Sequence, residues 1–178
     1  PLLLSRKPAS LAKLRPSNAL QVAKLITWPG DTTKRIAIEK TRPLSQAEQA
    51  QFELGRTQYR SFCIACHQIH GRGMASMAPS LVDSPWVLGP EERLIRIVLQ
   101  GIYGPLVIKG TKWNLVMPGQ KHNPSLTDEN IAAILTYIRR EWDHTGDVVN
   151  AKSVAQVRAA THDRILPWTV AELEKIKP

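Results

Sequence analysis

The chain has 178 residues, enough for one well-packed domain with extensions, and 43% hydrophobic with 22% charged residues is an ordinary globular composition. No apolar run approaches the roughly 20 residues that a membrane-spanning helix requires, so no transmembrane segment is predicted. The net charge of +9 is concentrated in residues 1–42. The basic side chains there are scattered among Leu and Ala without interleaved aromatics, which argues against a nucleic-acid partner.

Residues 1–43 are predicted to be a helical N-terminal extension followed by a linker. Leu20 and Ile26 belong to an apolar pattern with helical spacing, whereas residues 31–43 are polar. The chain begins at Pro1 without a signal-peptide pattern, which favours a processed product or a piece of a longer polypeptide.

A second unit is predicted to open at residue 44. Ser45, followed three residues later by Glu48, is a capping-box pattern and predicts a helix over residues 46–62. This helix leads directly into Cys63. The elements predicted after it are an irregular loop over 68–89, a short helix within GPEERLIRIVLQG, a loop over 102–126 with a hairpin at VIKGTKW, a helix within LTDENIAAILTYIRREW, and a final capped helix at TVAELEKI.

The stretch FCIACHQIHGRG contains the chain's two cysteines, Cys63 and Cys66, followed directly by His67. A disulfide between them would close a very small loop and stabilise little. A redox dithiol of the thioredoxin type is expected after a strand, and here a helix precedes the motif. Zinc requires about four ligands, and adding His70 would crowd all four into eight residues.

A covalently attached haem uses all three residues at this spacing. Two thiols add to the two vinyl groups of the haem, and C-x-x-C-H is the attachment signature of c-type haem. The preceding helix agrees, because Gly55 and Tyr59 lie on the same face as Cys63. A glycine there allows a second helix to cross closely, and the helix that begins near Thr127 is available to do so.

Residues 44–143 resemble the small class I cytochromes c in the order helix, C-x-x-C-H, glycine-rich loop, short helix, Met-Pro loop and closing helix. The resemblance implies an all-α cytochrome c fold around one covalent haem c. It also implies an N-terminal extension over 1–43, a cytochrome domain over 44–147, and a C-terminal extension with a short helix over 148–178.

The same resemblance assigns the iron ligands. His67 is the expected proximal ligand, and Met117 in LVMPGQ is the expected distal ligand. The carbonyl of Pro79 in APSL is expected to hold the N–H of the proximal imidazole. The rivals for the distal position are Met74, Met77 and His122.

Two further side chains are candidates for the haem propionates. Trp113 would reach a propionate through its indole N–H, and Arg72 would pair with one because it follows the attachment site closely. His70, His144 and His162 are expected to face solvent.

Ligation by histidine and methionine leaves no open position on the iron, so the implied function is one-electron transfer and not catalysis. The alternative is a haem enzyme or gas sensor of peroxidase-like character, in which Met117 is displaceable. A haem-free adaptor that binds a partner through its helices is a third interpretation.

Four stretches extend the resemblance: LITWPG, PWVLG, WNLVMPG and VRAATHDRILPWTVAEL. They are similar to the C-terminal cytochrome portion of large secreted dehydrogenase proteins of environmental bacteria such as planctomycetes. That resemblance implies redox partner proteins or a fused sugar or alcohol dehydrogenase as partners. Covalent haem attachment of this type occurs outside the cytoplasm, so a periplasmic or otherwise extracytoplasmic location is expected. A free-standing cytochrome with helical extensions is the alternative.

Overall fold

The computed structural model describes residues 42–176, together with residues 2–3, 5, 9 and 26–27. Contacts divide the chain into two units, Pro1–Leu44 and Ser45–Pro178. In the first unit, strand β1 (Leu2–Leu3) pairs in parallel with strand β2 (Ile26–Thr27). The helical prediction is therefore wrong at Ile26, where β-branched neighbours suit a strand. The rest of that predicted helix falls outside the described residues.

The second unit alternates helices with short strands. Its elements in chain order are α1 (Gln46–Phe62), α2 (Ile64–His67), α3 (Pro85–Leu88), α4 (Glu91–Gln100), β3 (Gly101–Tyr103), β4 (Pro105–Ile108), β5 (Thr111–Asn114), β6 (Met117–Pro118), α5 (Asp128–Arg140), α6 (Ala151–Ala160), β7 (Trp168–Thr169) and α7 (Val170–Leu173). The described part is thus a helical fold with short strands, and the all-α prediction holds only in part. None of its helices is long and apolar enough to cross a membrane.

Helix α1 begins and ends where the sequence predicts. Ser45 Oγ accepts the backbone N–H of Glu48 at 3.3 Å, and the Glu48 carboxylate accepts the backbone N–H of Ser45 at 2.8 Å. Both halves of the capping box are therefore formed, and two of the unsatisfied N–H groups at the helix start gain partners.

Helices α1 and α5 cross at the predicted glycine. A Cβ built on Gly55 would overlap the backbone oxygen of Ala133 and would lie 2.9 Å from Cβ of Tyr137. The aromatic rings beside the crossing pack together: Tyr59 and Tyr137 have centroids 5.2 Å apart, and Phe52 and Tyr137 have centroids 5.3 Å apart. Glycine thus permits an approach that any side chain would prevent.

Strands β4 and β5 form the hairpin predicted at VIKGTKW. Ile108 pairs with Thr111, so the connection is the two residues Lys109 and Gly110, with φ of 51° and 79°. Positive φ at both positions is typical of a type I′ turn, which matches the twist of the strands.

The C-terminal extension is more structured than predicted. It contains the expected capped helix α7, where Thr169 and Glu172 form a capping box, but it also contributes α6 and β7. Val149, Val154 and Leu173 are completely buried. The extension therefore takes part in the core of the second unit.

Candidate functional site

An apolar cleft in the second unit is formed by the end of α1, the loop before α3, helices α4 and α5, and strands β3 to β6. It encloses about 1080 Å³, including its open mouth. Sites for small molecules and cofactors commonly combine apolar walls with a few polar groups. The polar and sulfur-bearing groups of this cleft include Tyr59, Cys63, Cys66, His67, Ser80, Ser84, Trp113 and Met117.

The two cysteines lie at the end of α1. Cys63 is the C-cap of this helix and Cys66 lies in the short helix α2, and both line the cleft as free thiols. Burial raises the pKa of the Cys63 thiol to about 12, and the neighbouring Cys66 adds to the rise. This shift makes Cys63 a poor nucleophile, so Cys63 gives the redox alternative no support. Zinc is disfavoured too, because no group of three or more His, Cys, Asp or Glu among the described residues is placed to hold a metal.

His67 directs a neutral imidazole into the same cleft. Burial lowers its pKa, and the backbone carbonyl of Pro79 acts in the opposite direction. Its buried Nδ1 nevertheless has no hydrogen bond of normal geometry within the described residues. Pro79 is therefore close to the ring without forming a well-aligned bond. A neutral imidazole with a ring nitrogen left over is the form that binds a metal ion.

Met117 lines the cleft from strand β6 and is partly buried. Met77 also lines it, with 49% of the residue exposed, whereas Met74 is not among the lining residues. His122 lies in a different, polar surface pocket beside Lys121. Of the rivals for the distal position, only Met77 shares the cleft with His67.

The two propionate candidates are placed differently. Trp113 lines the cleft from strand β5, opposite Leu106 on strand β4. Arg72 is exposed and does not line the cleft, and its backbone N–H donates to Nδ1 of His70 at 3.2 Å. The structure brings Trp113 but not Arg72 to the other site residues.

Tyr59 connects the site to the helix crossing. Its side chain lines the cleft, is completely buried, and donates from its hydroxyl to the backbone oxygen of Gln68 at 2.7 Å. Burial raises the pKa of this phenol, so it remains a donor. The bond ties the chain directly after His67 back to α1.

Much of the cleft wall was not singled out from the sequence. Leu94, Ile97 and Val98 of α4 line it, and their i, i+3, i+4 spacing was the available signal. Trp86 lines it as well and packs under the Arg93 guanidinium, 4.6 Å from the ring centroid. Ile102 joins the wall from β3, and no local pattern marks that short strand.

His144 contradicts the expectation that it faces solvent. Only 4% of it is exposed, its Nδ1 lies 2.6 Å from the backbone oxygen of Ile138, and its Nε2 accepts the Asp83 N–H at 2.8 Å. A single neutral tautomer satisfies both contacts. The ring therefore links the end of α5 to the loop before α3. His70 and His162 are exposed as predicted.

Replacing His144 should remove part of the pH dependence of stability. Burial lowers its pKa, although the Ile138 carbonyl and two nearby carboxylates oppose the shift. The contribution of His144 to the free energy of unfolding is therefore complete above its unfolded-state pKa of about 6.5. It is lost as the pH falls through its lower folded-state pKa. In urea unfolding of the haem-loaded protein, His144→Gln should cost about 1–3 kcal/mol at neutral pH.

The decisive measurement is the difference in unfolding free energy between parent and variant as the pH falls. That difference should shrink on acidification for His144→Gln, whereas His162→Gln, at an exposed histidine, should track the parent at every pH. Parallel curves for His144→Gln and the parent would contradict the assignment.

The donor set fits a haem attached through thioethers. Two thiols separated by two residues, a neutral imidazole beside them and a thioether from strand β6 all face one apolar space. Iron porphyrins take nitrogen and sulfur as axial ligands, and an apolar surround suits the ring. In the described part of the chain no carboxylate lines the cleft, so a carboxylate acid–base pair of the kind used in hydrolysis is absent there.

Comparison with known proteins supports this fit. The family model for cytochrome c matches residues 52–142. Cytochrome c-552 of Thermus thermophilus is 31% identical over 119 residues, which cover 65% of this chain and 78% of that protein. The cytochrome c-552 of a further Thermus thermophilus strain is also 31% identical over 119 residues, which cover 69% of that relative.

Proposed function

Because this chain belongs to the cytochrome c family, whose members carry electrons on covalent haem c, we propose which residues hold its single haem. Cys63 and Cys66 form the two thioether links, His67 is the proximal iron ligand and Met117 is the distal ligand. The observation that carries the proposal is that all four side chains line one apolar cleft, although Met117 lies fifty residues after His67.

When bound, haem c supplies an iron centre that alternates between the ferric and ferrous states. The imidazole of His67 and the thioether of Met117 would hold this iron as its two protein ligands and would leave no position open for oxygen or a substrate. A thioether favours the ferrous state and thereby raises the reduction potential. Ile97, Ile102 and Ile134 line the cleft and would keep water away from a bound haem, which limits reorganisation between the two states.

Two neighbouring groups orient these ligands in the proposal. The Pro79 carbonyl lies near the His67 ring and, with a small adjustment, accepts its free N–H, which fixes the ring and strengthens its donation. The Trp113 indole N–H donates to a propionate from the cleft wall. Arg72 is the weaker propionate candidate, because its side chain would first have to turn towards the cleft.

Redox partners are proposed to dock beside the cleft. Met77, Leu115 and Val116 line it while leaving 49%, 37% and 64% of each residue exposed. A small apolar border of this kind suits brief encounters, since electron-transfer interfaces are usually small and weak. We further propose that the electron comes from a sugar or alcohol dehydrogenase, separate or fused, and that the protein works outside the cytoplasm. The resemblance of the flanking stretches supports the first statement, and covalent attachment of the haem supports the second.

One experiment on the haem-loaded protein tests the electron-carrier function. Mass spectrometry should show one porphyrin per chain, and a redox titration should follow a one-electron curve. Cyanide and carbon monoxide should bind slowly and weakly, and the far-red absorption band of methionine-ligated ferric haem should persist. Rapid ligand binding with peroxidase turnover would instead support the haem enzyme or gas sensor. A chain that carries no porphyrin would support the adaptor.

A further inference from the structure

The strand that carries Met117 belongs to a three-stranded sheet completed by the C-terminal extension. The strand order is β6-β3-β7. Met117 pairs with Ile102 in the antiparallel ladder, and Ile102 pairs with Trp168 in the parallel ladder. The central strand β3 therefore has one edge on the proposed iron ligand and the other on residues far along the chain.

Side chains connect the same three strands. Ile97, Ile102 and Leu173 form a buried cluster, against which Met117 and Trp168 both pack. Ile102 and Met117 also line the cleft, whereas Trp168 and Leu173 do not. Any influence of the C-terminal residues on the cleft is therefore transmitted through Ile102 and its neighbours.

Polar groups fix Trp168 in this position. Its indole Nε1–H donates to Oε1 of Gln100 at 3.1 Å, and the Gln100 amide donates to Oγ1 of Thr161 at 2.6 Å. Gln100 is 4% exposed, and it directly precedes strand β3. The ring is also covered by the Arg164 guanidinium, 3.5 Å from its centroid.

Strands β3 and β6 lie too close together to admit a side chain at Gly101. Gly101 has a φ of 85°, and a Cβ there would overlap the backbone oxygen of Met117 and lie 2.8 Å from the backbone nitrogen of Gly119. Four residues after Met117, the Lys121 ammonium donates to the backbone oxygens of His162 and Arg164 at 2.8 and 2.7 Å. A shift of β3 would therefore move the Met117 backbone, and Lys121 provides a second link between this part of the chain and the extension.

We propose that the C-terminal segment 161–176 holds Met117 in place, with Trp168 as the positioning residue that acts through Gln100 and Ile102. The inference rests on the proposed role of Met117 as distal ligand. Without Trp168, strand β3 loses a packed neighbour and the Met117 loop samples positions away from the iron. The fraction of molecules open to an external ligand then rises, and the apparent affinity for that ligand rises with it.

The test compares haem-loaded variants. Trp168→Ala should keep its covalent haem, lose intensity in the far-red methionine–iron band, show a lower reduction potential, and bind imidazole about tenfold more tightly. Trp168→Phe keeps a ring for packing against Ile102 but loses the hydrogen bond to Gln100, so it should restore the band in part. Val154→Ala is the matched control, since Val154 is completely buried in α6 but lies outside the cluster around Met117. It should lower stability without changing the band or the imidazole affinity.

Two outcomes would overturn the proposal. One is an unchanged band and imidazole affinity in Trp168→Ala, and the other is an equal change in Val154→Ala. If Trp168→Ala does not accumulate, Leu173→Val gives the same readouts from the centre of the cluster. Met117→Ala separates the two levels of inference. If Met117→Ala leaves the band intact, the assignment of Met117 as distal ligand fails. If Met117→Ala removes the band and Trp168→Ala does not change it, only the positioning role of Trp168 fails.

Discussion

Met117→Ala is expected to leave the haem attached and to lower its reduction potential. The thioether links through Cys63 and Cys66 do not depend on the distal ligand, so the haem stays with the chain under denaturing conditions. Loss of the soft sulfur ligand destabilises the ferrous state. Because axial ligands set haem potentials over a range of about 0.8 V, the fall should be an appreciable part of that range.

The same substitution should open the iron to external ligands. Cyanide, imidazole and carbon monoxide should bind rapidly to Met117→Ala, and the far-red band should disappear. The measurements are a potentiometric titration and stopped-flow ligand binding on the haem-loaded protein.

Met77→Ala is the matched control, because Met77 is the other methionine that lines the cleft. It should retain the parent's band and potential. If instead Met77→Ala loses the band and Met117→Ala keeps it, Met77 is the distal ligand. An unchanged band in both variants would remove methionine from the iron altogether.

The features that could be predicted from the sequence depend on neighbouring residues or on fixed spacings. The capping box at Ser45 and the cap at Thr127 are local hydrogen bonds, and both helices begin where those residues indicate. The glycine four residues before Tyr59 predicted the helix crossing, since i and i+4 share one face. The hairpin around Lys109 and Gly110 follows from turn chemistry.

The features that could not be predicted depend on distant residues. Ile102 and Trp168 pair across sixty-six positions in strands of two or three residues, too short for a periodic pattern. His144 is polar and follows a helix end, which suggests exposure. Its burial depends on Asp83 and Ile138, which supply the hydrogen bonds that a buried imidazole requires. The site residues in C-x-x-C-H could be predicted because the chemistry of haem attachment fixes their spacing. The residues of the cleft wall could not, because tertiary packing brings them together.

Gly55→Ala should destabilise the protein strongly, although alanine is the better helix former. The new Cβ would overlap the backbone oxygen of Ala133 and would lie 2.5 Å from its carbonyl carbon. Backbone cannot move aside as the end of a side chain can, so α1 and α5 must separate. Overpacking typically costs about 1–3 kcal/mol and occasionally more. The gain in helix propensity, about 1 kcal/mol, offsets only part of this.

The unfolding midpoint in urea is the first measurement, with Thr57→Ala as control. Thr57 is exposed on the same helix, and its replacement should change stability by no more than about 0.5 kcal/mol. A second variant tests the cause: adding Ala133→Gly to Gly55→Ala should not restore stability, because the overlap involves the Ala133 backbone, which that change leaves in place. A Gly55→Ala protein as stable as the parent would show that the helices do not cross this closely.

The effect of Gly55→Ala should extend to the haem. Helix α1 has Cys63 as its C-cap, and Tyr59 on its buried face lines the cleft, as do Ile134 and Ile138 of α5. Separating the two helices therefore increases the distance between the attachment cysteines and the α5 side chains that share the cleft with them. Thr57→Ala should load haem as the parent does, whereas Gly55→Ala should accumulate less haem-loaded protein. Met117 lies outside the helix crossing, so the molecules that do load haem should retain the far-red band. This result would distinguish the defect of Gly55→Ala from that of Trp168→Ala.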